Sequence, residues 1–201
     1  DEAYAVSDLR AEGGCYRFTA AAPAEIEIRL PLAGRFQVRN ALTALAAARL
    51  LAERGFPVHD AAIARGLATV CWPGRLERLQ SHPSVYLDGT HNPSGARELV
   101  AFWEEHFAGR RIFLVYGTMR DKAVDEVAGL LFPRAERVIL TQSRQPRSLG
   151  AEALAGVAGH LAPAFEVVPD PGAALERVLQ LAQPDDIVFA AGSLYLVGDL
   201  R

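Results

Sequence analysis

Five short apolar runs constrain this chain more than any other feature: Val85–Leu87, Ile112–Tyr116, Val138–Thr141, Phe165–Val168 and Ile187–Ala190. Between them lie stretches of helical character, Ser94–Phe107, Lys122–Leu131, Ala151–His160 and Gly172–Leu181. Runs this short and this apolar read as strands covered on both faces. Parallel neighbours need a crossover, and the intervening helices supply it. The predicted architecture is therefore α/β, with a mostly parallel sheet of about five or six strands and helices on both faces. Leu76–Gln80 is expected to add an edge strand.

The part before Trp72 has a different rhythm. Ala3–Leu9, Cys15–Ala20 and Glu25–Leu32 are strand-like, and Ile26, Ile28 and Leu30 alternate with Glu25, Glu27 and Arg29. That period of two predicts a half-buried antiparallel ribbon. Glu12-Gly13-Gly14 is the expected hairpin turn. Asn40–Arg54, rich in alanine and leucine, predicts a helix that stops at Gly55. Its polar content is low, so packing on both sides is expected. Asp60 is expected to cap a second helix, with Ile63, Leu67 and Val70 on one face. A small ribbon and two helices make a thin core, so residues 1–71 read as the tail of a larger domain. Residues 72–201 form the second domain, and Trp72-Pro73-Gly74 is the expected hinge.

The 201 residues carry 24 acidic and 21 basic side chains, for a net charge of −3. No basic field is present, so nucleic acid is not an expected partner. No run is long enough to span a membrane, and no signal peptide is visible. Cys15 and Cys71 have neither zinc-site nor redox-pair spacing, and read as two buried, reduced thiols of a cytoplasmic protein. The chain begins at Asp1 and its only methionine is Met119. The expectation is a segment of a longer protein or a processed product.

The chemistry concentrates in Tyr86-Leu87-Asp88-Gly89-Thr90-His91-Asn92-Pro93. In an open parallel sheet, ligands bind beyond the carboxyl ends of the strands, where Asp88 is predicted to sit. Asn92 suits a helix cap and Pro93 the first helical position, so a helix N-terminus faces the crevice and favours an anion. Asp88 adds an acceptor for a ribose hydroxyl, an ammonium group or a hydrated metal, and His91 a group that changes charge near neutrality. Asp-Gly after a strand also makes an ordinary turn, and both readings stand. Ser193, at the end of the last strand, reads equally as a carboxylate donor or a helix cap. Lys122 reads as an anion contact or, more simply, as a solvated lysine. There is no G-x-G-x-x-G fingerprint, no G-x-x-x-x-G-K-[ST] phosphate loop and no G-x-S-x-G elbow. No third ligand stands at a telling spacing from Asp88 and His91, so no metal site is assigned.

Several segments, in order, resemble folylpolyglutamate synthase/dihydrofolate synthase of the Mur ligase superfamily. They are Gln37-Val38-Arg39-Asn40, Trp72-Pro73-Gly74-Arg75-Leu76-Glu77, Leu87 to Pro93, Gly117-Thr118-Met119-Arg120-Asp121-Lys122, Pro146-Arg147-Ser148 and Gly192 to Gly198. Thr90 departs from the pattern, where alanine is usual. The resemblance implies an ATP-dependent ligase that joins L-glutamate to dihydropteroate or folate through an acyl phosphate. It further implies that residues 1–71 close a central ATP-binding domain and that residues 72–201 are the Rossmann-like C-terminal, glutamate-side domain. The phosphate loop, the magnesium ligands and most of the folate site have no counterpart here, so this segment alone is expected to be inactive. By resemblance, Asn40 reaches the adenine, Arg75 contacts ATP phosphates, and Asp88 completes the nucleotide site. His91 and Ser193 lie on the glutamate side, with His91 the catalytic candidate. A monomer is implied, with ATP and Mg2+ required. From the residues alone Asn40 also reads as a helix cap, and Arg75 as the partner of Glu77. Two rival functions remain: a stand-alone anion-binding module without turnover, and another amino-acid ligase of the superfamily, such as a cell-wall enzyme.

Overall fold

The computed structural model describes residues 5–12, 15–21 and 24–201. The chain divides into two compact units, Asp1–Pro73 and Gly74–Arg201.

The first unit is an antiparallel sheet with two helices. Strands β1 (Ala5–Glu12), β2 (Cys15–Ala21) and β3 (Glu25–Leu30) pair in sequence order. The predicted turn residues Gly13 and Gly14 lie outside the described residues, as do Ala3 and Tyr4 of the predicted first strand. β3 ends at Leu30 rather than Leu32, because Pro31 has no N–H to continue a ladder. Ile26, Ile28 and Leu30 point into the core while Glu25, Glu27 and Arg29 are exposed, which is the alternation read from the sequence.

Helix α1 (Phe36–Glu53) starts four residues earlier than expected, after the left-handed Gly34 at φ 92°. It ends as predicted at a left-handed Gly55, whose N–H bonds Ala52 O while Phe56 N–H bonds Leu51 O. This is the reciprocal pair of a Schellman cap. Val38, Ala41 and Leu45 are buried with Ile63 and the inner face of the sheet, but Leu50 and Leu51 are exposed. The expectation of packing on both sides is corrected: these two exposed leucines leave α1 a single apolar layer within the unit. The expectation of buried thiols is corrected as well, since Cys15 is only half-buried and Cys71 is exposed. Helix α2 (Asp60–Thr69) is also corrected at its start. His59 is the capping position, and Asp60 instead takes a two-bond ion pair from Arg49, at 3.1 and 2.8 Å.

The second unit is a six-stranded sheet of order β4-β5-β9-β6-β7-β8. Its strands are β4 (Glu77–Ser81), β5 (Ser84–Leu87), β6 (Ile112–Tyr116), β7 (Arg137–Leu140), β8 (Phe165–Val167) and β9 (Ile187–Ala191). All neighbours are parallel except the edge hairpin β4–β5. Every residue of β6 and β9 is buried, as central strands of a covered sheet require.

The helices are α3 (Pro93–His106), α4 (Val124–Leu131), α5 (Ala151–Ala158), α6 (Pro171–Leu181) and α7 (Leu194–Leu200). One sheet face, with Val85, Leu87, Phe113, Val115, Val188 and Ala190, packs on Ala174 and Val178 of α6 and Val197 of α7. On β5 and β9, the side chains that alternate with these, Tyr86 and Phe189, stack 5.1 Å apart and meet Phe102 of α3. Trp103 also packs on Phe189. The α/β class and the mostly parallel sheet match the expectation. Helix α7 is legible in the sequence only through the alternative reading of Ser193 as a cap.

Candidate functional site

The turn from β5 to α3 is built from its backbone outward. Asp88 N–H extends the ladder to Ala190 O at 2.9 Å, and Thr90 O accepts Gly192 N–H at 2.8 Å. The carboxyl ends of β5 and its neighbour β9 are thereby tied together. Gly89 N–H bonds Gly74 O at 2.8 Å. A Cβ on Gly89 would overlap Leu194 Cδ2 and lie 2.8 Å from its Cγ, so a larger residue there would push the half-exposed Leu194 side chain aside. Asn92 caps α3 by accepting Gly95 N–H at 2.8 Å, and Pro93 is the first helical residue.

Asp88 is 3% exposed, and its carboxylate points into the fold. Oδ1 accepts the Thr90 amide at 2.9 Å and also the Thr90 hydroxyl, while Oδ2 accepts the Leu76 amide at 2.9 Å. Burial pushes this carboxyl above the usual carboxylate range. The Thr90 hydroxyl, the Leu76 and Thr90 amides and the nearby Arg75 charge pull the other way.

Arg75 is half-buried between two left-handed residues, Gly74 at φ 72° and Leu76 at φ 49°. The residue-level alternative, a pair with Glu77, does not form. Glu77 Oε2 accepts Gly74 N–H at 2.8 Å, and Oε1 accepts Arg201 Nε at 3.1 Å. Among the described residues, no side chain hydrogen-bonds or ion-pairs with the Arg75 guanidinium. Leu76 is a correction to the expected strand: it turns the chain, and β4 begins one residue later.

His91 is half-buried, with Nδ1 2.8 Å from Gly89 O. A carbonyl only accepts, so Nδ1 carries the proton and Nε2 is left open. Ser193 is buried, and its Oγ accepts Tyr195 N–H at 3.0 Å as the cap of α7. Asn40 stands in the other unit, on the exposed side of α1, where Nδ2 donates to Gln37 Oε1 at 2.9 Å. It lies inside the helix and does not cap it. Lys122 pairs with its neighbour Asp121 at 3.7 Å.

The end of β6 belongs to the same edge of the sheet. Gly117 N–H bonds Ala191 O, and a Cβ on Gly192, at φ 112°, would come 2.5 Å from Gly117 O. The loop after β6 is zipped to the loop after β7 through Leu149 N–H to Thr118 O at 2.9 Å and Arg120 Nε to Ser148 O at 3.0 Å. Residues 74–194, from this clamped turn to the start of α7, match the family described as Mur ligase, glutamate ligase domain. The chain belongs to the Mur ligase family.

Among its relatives is the dihydrofolate synthase/folylpolyglutamate synthase of Bacillus subtilis, 34% identical over 87% of this chain and 40% of the relative. The enzyme of the same name from Mycobacterium tuberculosis is 36% identical over 77% of this chain and 30% of the relative. A solved folylpolyglutamate synthase of Mycobacterium tuberculosis, complexed with ADP and AMPPCP, superposes with a TM-score of 0.89 at 32% identity. It covers 100% of this chain and 48% of its own. This Mur ligase chain thus spans less than half the length of the relatives it matches.

The residues that sequence reasoning missed are Thr90, Leu76 and Glu77. A threonine two places after an aspartate is a known turn device, so Thr90 was findable. Nothing in a leucine signals a left-handed backbone, so Leu76 was not.

Proposed function

We propose that this chain carries the glutamate-side domain of an ATP-dependent ligase that adds L-glutamate to dihydropteroate, folates or both. Residues 1–71 are read as the end of its central ATP-binding domain and residues 72–201 as its C-terminal domain. The observation that carries the proposal is the unpaired, half-buried Arg75 guanidinium, backed by a clamped turn, in a unit that matches the glutamate ligase domain. An unpaired arginine in such a position suits a bidentate phosphate oxygen pair.

The proposed chemistry follows from charge. A carboxylate resists attack by an amine, so its oxygen first takes the terminal phosphoryl group of ATP, releasing ADP. The glutamate nitrogen then attacks the acyl carbon, the C–O bond to phosphate breaks, and the nitrogen sheds a proton. Arg75 stabilises phosphoryl charge, and Asn40 reaches the adenine. Asp88 enters the nucleotide site chiefly through the backbone that it braces. His91, with Nε2 open, meets the glutamate amine and accepts its proton, and Ser193 marks the glutamate side.

Magnesium belongs to the same proposal, since phosphoryl transfer from ATP needs charge neutralisation. The described residues do not fit it: they hold no group of three or more His, Cys, Asp or Glu able to bind a metal, and Asp88 is occupied by three donors. No step is therefore assigned to a metal on these residues. The segment alone is proposed to be inactive, as one face of a site completed elsewhere. A monomer in the cytoplasm is the proposed setting. No described helix is long and apolar enough to cross a membrane.

The test is coupled ADP release by the intact ligase with L-glutamate, offering dihydropteroate and tetrahydrofolate in turn. Turnover that needs both the acceptor and glutamate is expected. Arg75→Ala should raise the KM for ATP by about ten-fold or more, the loss of one charge-assisted contact. Unchanged ATP kinetics in that variant would reject the assignment of Arg75.

A further inference from the structure

Arg75 hangs on a turn that a leucine rarely makes. A left-handed leucine crowds its Cβ against the following carbonyl, and such residues persist only where the surroundings over-determine them. Here they do. The Leu76 side chain is buried, and its N–H is held by Asp88 Oδ2 at 2.9 Å. Gly74, on the other side of Arg75, is held at both ends, its N–H by Glu77 Oε2 and its carbonyl by Gly89 N–H, each at 2.8 Å. The Asp88 carboxylate is in turn oriented from its far side by the Thr90 amide and hydroxyl.

We propose that Asp88 and Thr90 act as positioning residues, a two-sided lock that holds Leu76 left-handed and so sets the direction in which Arg75 leaves the turn. The lock stands on the geometry alone; its service to a phosphate anion rests on the ligase reading above.

The carboxylate is required because both of its oxygens accept. An asparagine has one acceptor oxygen and one NH2 donor. Asp88→Asn must therefore present a donor either to Leu76 N–H or to the two Thr90 donors, and one side of the lock opens. Thr90→Ala removes one of the two donors on Oδ1 and leaves that side of the carboxylate held by the Thr90 amide alone; Thr90→Ser keeps both. The gain to function is preorganisation. An arginine loses much rotamer freedom on binding an anion, and a backbone already fixed leaves less to freeze.

Two measurements separate the lock from its use. On this 201-residue chain, amide hydrogen exchange at Leu76 is followed by NMR. Asp88→Asn and Thr90→Ala should speed that exchange by about ten-fold relative to distant strand amides, with Thr90→Ser close to the parent. Unchanged Leu76 exchange in Thr90→Ala overturns the lock. Should Asp88→Asn fail to fold, the Thr90 pair decides alone. In the intact ligase, Thr90→Ala should raise the KM for ATP several-fold with a smaller change in kcat. Adding it to Arg75→Ala should cost nothing further, because both act through one group. Additive losses overturn the claim that the lock works through Arg75. If Arg75→Ala alone leaves ATP use intact, the ligase reading of Arg75 fails, and the Leu76 exchange still decides the lock.

Discussion

A single atom separates tolerated from forbidden at several positions of this sheet edge. Gly192 combines a left-handed backbone with a backbone oxygen 2.5 Å from where a Cβ would stand. Gly192→Ala should therefore cost about 3 kcal/mol or more, because neither strain nor clash can be relieved by moving a flexible side chain. Urea unfolding of the variant against the parent checks this; a loss under about 1 kcal/mol would mean that the β6 and β9 ends are looser than described. Residues of this kind were half legible. Asp88, Gly89, Asn92 and Pro93 stood out because each is a type that loops and caps demand. What the sequence could not reveal is direction. Asp88 was read as an acceptor facing a ligand, whereas its oxygens hold Leu76 and Thr90. An aspartate's side chain can turn either way at a strand end, and only the donors around it decide.

Elements differ in how much freedom they leave. Gly129 lies exposed within α4, and a methyl group added to its Cα would meet nothing within 4 Å. Gly129→Ala should stabilise by about 0.5–1 kcal/mol, chiefly by narrowing the unfolded ensemble, and a raised melting temperature would show it. Strand β8 is joined to α6 and β7 by Glu166, which accepts from Arg177 Nε at 2.7 Å and Arg137 at 3.0 Å. The Arg177 hydrogen bond, with Arg137 adding its charge, holds the Glu166 carboxyl below its ordinary range. The folded value is depressed, so its stabilisation is present above the unfolded carboxylate range and is lost as pH falls through the folded value. These side chains are partly exposed, so solvent screens the pair. Glu166→Gln should cost about 0.5–1 kcal/mol at neutral pH, with the difference from the parent fading below about pH 4. Parallel denaturation curves across that range test it. At this scale the sequence was most readable: all five apolar runs became strands, although only the inner ones are covered on both faces and β8, at the sheet edge, leaves Phe165 exposed. Element ends were not, since Asp60 lost its predicted cap role to a competing Arg49 and α1 began before its alanine-rich stretch.

At the scale of the whole molecule, each compact unit packs apolar side chains of its own: Phe18, Ile28 and Leu45 are buried together in the first, and Val85, Val115 and Val188 in the second. The clamp around Arg75, from Gly74 to Arg201, lies wholly within the second. Residues 74–201 expressed alone should therefore unfold cooperatively and keep slow exchange at the Leu76 amide; a gradual, non-cooperative transition would show that they depend on the first unit. The order of the large sheet carries one more consequence. β9 is the last strand in the chain yet lies between β5 and β6. On the ribosome, β5 and β6 emerge with no common neighbour, and both wait with open edges until Ile187–Ala191 clears the exit tunnel. A premature stop anywhere before Ile187 would not trim the domain at its margin. It would remove the keystone and leave two half-sheets exposed to aggregation and to the cell's proteases.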